Sequence, residues 1–167
     1  SRYRDEAGRE APAEETRGDL QKQELFFPIL ESETFVCCGC YMLRSEPFFA
    51  IYPQRKIPEY GVGQNFQMLL PFCYFHRCPT IPEELYTVLV RPESHSRRQL
   101  TFAQEEKKYS DYEKLIDEII DICRICSAEE LRRLRLWKCR RRYWLAVQYR
   151  KKAKAFFALF AIYQCGG

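Results

Sequence analysis

The chain predicts an α+β fold, with a small antiparallel sheet packed against an amphipathic helix and followed by a long basic C-terminal helix. Three observations carry that expectation. Short aromatic and β-branched runs punctuated by proline fill residues 25–102, a 3.6-residue apolar period occupies 111–123, and no Gly or Pro interrupts 128–164. The 167 residues suffice for one domain plus an extension. A hydrophobic fraction of 46% excludes long disorder and collagen-like composition. The chain begins at Ser1 rather than Met, as expected of a processed product or a trimmed chain.

Residues 1–24 mix Arg, Glu, Asp, Ala, Gly and Pro, with Tyr3 the only aromatic, and read as a flexible tail. A compact α+β domain is expected over 25–126. Its strands are placed at Thr34-Phe-Val-Cys37, Phe48-Phe-Ala-Ile-Tyr52, Phe66-Gln-Met-Leu-Leu70 and Leu85-Tyr-Thr-Val-Leu-Val90, with a further one at Gln99-Leu-Thr-Phe102 after the polar loop 91–98. Tyr112, Leu115, Ile116, Ile119, Ile120 and Cys123 then share one helical face, with five acids, Asp111, Glu113, Asp117, Glu118 and Asp121, turned away from it. Ser127 followed by Glu130 signals the next helix start. Residues 127–167 read as one basic aromatic helix of up to about 36 residues, stopped by Gly166-Gly167.

The net charge of +4 hides an asymmetry: residues 1–126 carry 16 basic and 21 acidic side chains, whereas 127–167 carry 11 basic and 2 acidic. Basic stripes on the last helix alternate with apolar stripes holding Trp137 and Trp144. Arginine offers planar forks to phosphate and the aromatics offer stacking platforms, so RNA or DNA is one expected partner. The contacting residues would be Arg132, Arg133, Arg135, Arg140, Arg141, Arg142, Arg150, Lys151 and Lys152. Arg140-Arg-Arg142 with Arg150-Lys-Lys-Ala-Lys154 also resembles a bipartite nuclear-import signal.

A competing reading has acids of the 111–121 helix neutralise those cations, leaving a protein-interaction adaptor. Its C-terminal helix would then dimerise or dock into a partner through Trp137, Trp144, Phe156 and Phe160. A membrane-surface or calmodulin-like role is a third, resting on apolar residues interleaved with Arg and Lys. The run Ala155-Phe-Phe-Ala-Leu-Phe-Ala-Ile-Tyr163 is apolar on every face, so the core, an oligomer or a partner must cover it. It falls short of the roughly 20 residues of a membrane span, and no transmembrane segment is expected. Size and the flexible N-terminal tail would suit a viral accessory or host-interaction factor.

Nine cysteines and the lack of an Asn-x-Ser/Thr acceptor favour a reducing compartment, cytoplasm or nucleus. Cys37 and Cys40 form one knuckle, and Cys73 and His76, with Cys78 as a substitute, form another. Each would aim two soft ligands at one point, and together they would hold a structural zinc. The alternative places these cysteines, and Cys123 with Cys126, in the core. No phosphate-cradling glycine loop, nucleophile elbow or His-Glu-x-x-His helix occurs, His95 sits in a polar run that reads as a solvated loop, and Cys73 or Cys78 with His76 is too local for a usual dyad. A non-enzymatic binding or regulatory protein is expected.

Overall fold

The computed structural model describes residues 2–11, 18–34, 36, 39–90 and 100–166. It corrects the expected fold class: the chain is mostly helical, and in place of an antiparallel sheet it has two three-residue strands paired in parallel. In order these are β1 (Arg2–Arg4), α1 (Phe26–Leu30), α2 (Ser45–Ile51), α3 (Gln64–Phe75), β2 (Thr87–Leu89), α4 (Phe102–Cys123), α5 (Ala128–Gln148) and α6 (Lys152–Gln164). Two compact units result, one of 1–57 with 65–99 and one of 58–64 with 100–167.

In the first unit, two runs expected as strands are helical. Pro28 and Pro47 occupy the first turns of α1 and α2, where the backbone N–H has no intrahelical acceptor and its loss costs nothing. Short apolar runs such as 66–70 fit a buried helix as well as a strand. Pro71 lies inside α3 and removes the N–H that would bond the Gln67 carbonyl. The buried Tyr52 hydroxyl donates to that carbonyl instead, at 2.7 Å. Leu30, Leu69, Leu70 and Phe72 are buried in the same unit. Arg2–Arg4, expected in a flexible tail, pairs with Thr87–Leu89 in the register Tyr3↔Val88.

The second unit is built on α4, α5 and α6. Thr101 and Gln104 form a reciprocal capping box, so α4 starts nine residues before its regular apolar period and absorbs Phe102 of the expected last strand. Leu115, Ile116, Ile119 and Cys123 are buried along one side of α4, as their spacing predicts. Ser127 caps α5 by accepting the Glu130 N–H.

The single long helix expected after Ala128 is broken at 149–151. Arg150 adopts φ 54°, Lys151 N–H bonds the Ala146 carbonyl at 2.7 Å and Arg150 N–H bonds Val147 at 3.0 Å. This is the pair of bonds that ends helices on a left-handed residue, a position usually given to glycine. Arg124 ends α4 in the same way, with φ 52°. Holding a non-glycine residue there costs about 1–2 kcal/mol, which the packing of α6 back onto α5 must offset.

Candidate functional site

α5 and α6 run antiparallel, since Arg132 at the start of α5 donates to the Cys165 carbonyl at the end of α6, at 3.0 Å. Ala158 and Cys165 are buried and Ala155, Ala161 and Ile162 are half-buried. They fall on one side of α6, and small side chains there let the two backbones approach closely. Every bulkier aromatic points the other way. Phe156, Phe157, Leu159, Phe160 and Tyr163 are exposed, between 51% for Leu159 and 76% for Tyr163. Phe156, Leu159, Phe160, Ile162 and Tyr163 line an open apolar groove of about 340 Å³. Full burial of such a side chain stabilises by about 1.5–3 kcal/mol, so this face forgoes a large contribution as it stands.

The cations of residues 128–154 divide into two groups. Arg142 forks onto Glu113, its Nε lying 2.5 Å from Oε1, while Lys138 pairs with Asp117 and Lys154 with Glu106. The Glu113 carboxylate holds the Arg142 guanidinium above its ordinary pKa. Arg132 forks onto Glu129 in its own first turn and draws that carboxyl below its ordinary value. Arg141 lies among three rings, 4.6 Å from the centroid of Tyr109, 4.5 Å from Tyr112 and 4.6 Å from Trp137. The carboxylates lie on α4 or within α5, so Arg132, Lys138, Arg142 and Lys154 are ion-paired inside the unit, whereas Arg141 keeps its charge against the rings. Arg133 is half-buried, and Lys151 caps the Phe102 ring at 5.2 Å. Arg135, Arg140, Arg150 and Lys152 stand exposed.

Of the aromatic anchors expected from the sequence, Phe156, Phe160 and Trp144 are exposed, whereas Trp137 is buried against Arg141. Leu159 and Tyr163 complete the outer face of α6; the sequence puts them in an all-apolar run without marking them as anchors. Alanines at 155, 158 and 161 were the available signal, because a stripe of small residues marks the side of a helix that meets another backbone.

Among the proposed metal ligands, Cys37 lies outside the described residues. Cys40 and His76 are exposed, and the His76 ring packs on Phe72 with centroids 4.8 Å apart. Cys73 is buried near the end of α3 and Cys78 is half-buried beyond it. Interaction with Cys73 lowers the Cys78 thiol to about 7 against the effect of its burial, and interaction with Cys78, together with burial, raises the Cys73 thiol. Among the described residues no three Cys, His, Asp or Glu side chains converge as a metal site, and the Cys73–Cys78 pair supplies two of the four ligands a structural zinc needs.

Cys123 is buried, and burial pushes its thiol from the ordinary 9.0 to about 12. A pKa raised in the folded state favours the protonated thiol there. Its contribution is whole below pH 9 and is lost as pH climbs toward 12. Chemical denaturation across this window should therefore show stability falling more steeply for the unaltered protein than for Cys123→Ala; equal slopes would refute the assignment.

No family model, curated protein or solved structure matches the chain. No helix among the described residues is long and apolar enough to cross a membrane.

Proposed function

We propose that this is a non-enzymatic interaction protein that docks, through the outer face of α6, onto an acidic amphipathic helix of a protein partner. The observation that carries the reading is the inverted polarity of α6, alanines inward and aromatics outward. Phe156, Phe160 and Tyr163 stand at i, i+4 and i+7, the spacing by which one helix inserts anchors into an apolar seam. Charge selects the partner. Lys152 continues the same face at its N-terminal end, Arg150 and Lys151 adjoin it, and α6 contains no Asp or Glu. A second copy of the chain would bring like cations without a countercharge from α6, whereas a glutamate-bearing helix supplies one. RNA or DNA finds fewer available cations, because Arg132, Lys138, Arg142 and Lys154 are ion-paired and Arg141 is stacked.

A labelled amphipathic peptide of leucine and glutamate tests this by fluorescence anisotropy on the full chain. Binding should weaken at least roughly ten-fold with Phe160→Asp and several-fold with Lys152→Glu, and should decline with salt. A lysine counterpart binding equally well, or indifference to both substitutions, would overturn the reading. So would concentration-dependent dimerisation abolished by Phe160→Asp, or a steep salt-dependent affinity for single-stranded RNA lost with Arg140→Ala.

A further inference from the structure

The segment that carries the first unit from α3 to β2 is exposed without a break over residues 79–87, with Ile81 at 63% and Leu85 at 74%. Two prolines shape it. Pro79 and Pro82 supply no N–H and push the residues before them, Cys78 and Ile81, toward extended backbone, so the chain here has no helix to join. Among the described residues Thr80 and Ile81 make no hydrogen bond, and the next backbone bond along the segment runs from Leu85 N–H to the Glu83 carbonyl at 3.1 Å. The Thr80 hydroxyl therefore stands on an extended, accessible stretch. Three and four residues after it come Glu83 and Glu84. Glu84 is taken by Arg2, whose Nε lies 2.8 Å from it, whereas Glu83 has no ion pair among the described residues.

A carboxylate three positions after a hydroxyl is the charge pattern that acidophilic Ser/Thr kinases read with basic residues in an extended-peptide cleft. Among the described residues the sequence holds it at Thr80, Ser110 and Ser127, and the structure separates the three. Ser110 lies inside the 22-residue α4, whose backbone is committed to helical bonds. Ser127 caps α5, its hydroxyl accepting the Glu130 N–H at 3.4 Å and its carbonyl the Leu131 N–H at 2.9 Å. Thr80 alone of these has its backbone free to lie in a cleft. We propose that Thr80 is a phosphorylation site for an acidophilic Ser/Thr protein kinase, with Glu83 as the acid the kinase reads. Thr80 Oγ1 attacks the γ-phosphorus of ATP, and the bond from that phosphorus to the β,γ-bridging oxygen breaks. ADP leaves, and the hydroxyl proton passes to the catalytic carboxylate of the kinase. The product adds a charge of about −1.5 to −2 to a segment that already carries two carboxylates.

The test incubates the full chain with ATP and casein kinase II as the acidophilic probe, and maps phosphate by mass spectrometry at short times. Thr80 should be modified at least roughly ten-fold faster than Ser110 or Ser127, and Thr80→Ala should remove most of the incorporated phosphate. Glu83→Gln should slow modification of Thr80 roughly ten-fold, as the loss of one charged contact in the cleft does. Thr80 and Glu83 are both exposed, so neither substitution disturbs a packed side chain. An unmodified Thr80, equal rates at Ser110 or Ser127, or a Glu83→Gln chain modified as fast as the unaltered one would overturn the proposal.

Discussion

Replacing Ala158 with leucine should separate α6 from α5. Ala158 is 8% exposed and sits in the small-residue stripe of α6, so three extra heavy atoms have no space there. Overpacking of this kind typically costs about 1–3 kcal/mol. Because the strained residue Arg150 persists only while the hairpin is closed, the loss should appear as local opening at 149–151 rather than global unfolding. Hydrogen exchange should speed at the amides of α6 and at Lys151, whose N–H closes the turn onto Ala146. The buried stripe of α4 should keep its protection. Phe160→Asp, on the opposite side, should leave exchange unchanged while removing the acidic-peptide binding. If Ala158→Leu were silent, α6 would not be held by its alanine side, and the outward orientation of its aromatics would fall with it.

The second large effect belongs to the first unit. Tyr52→Phe removes the hydroxyl that satisfies the Gln67 carbonyl, in a place where both residues are 5% exposed. A buried acceptor deprived of its donor costs about 1–3 kcal/mol. The cause is Pro71, which cannot supply the usual helical N–H. In a Pro71→Ala background the alanine N–H can reach that carbonyl, so Tyr52→Phe should cost about 1 kcal/mol less there. Urea unfolding of the four proteins gives the coupling directly. Strict additivity would mean that Tyr52 contributes by packing alone.

These two sites mark where local sequence stops being sufficient. The amphipathic period over 111–123 and the Ser127 cap depend on residues within one turn of each other, and both stand as read. Phe48–Tyr52 and 66–70 read locally as strands, because a run of five mostly apolar residues carries no period of its own. Their helical state follows from a proline tolerated in the first turn of α2 and from the hydroxyl of Tyr52, the residue that ends α2, supplied to the Gln67 carbonyl of α3. The break at Arg150 has no glycine or proline to announce it. It is decided by the gain from laying an alanine stripe on α5, a term that exists only once both helices are in place.

The same division runs through the candidate site. The sequence alone determined that eleven cations crowd the last 41 residues, that aromatics interleave with them, and that acids line the preceding helix. Tertiary structure decided which cations remain available. Arg142, Lys138 and Lys154 meet Glu113, Asp117 and Glu106 on α4, and Arg141 fills a space among three rings, whereas Arg135, Arg140, Arg150 and Lys152 face solvent. It also decided that α6 turns its small residues inward and its aromatics outward. Composition is a property of the chain, but the partner of a charge, or the covered side of an all-apolar helix, depends on distances between residues far apart in sequence.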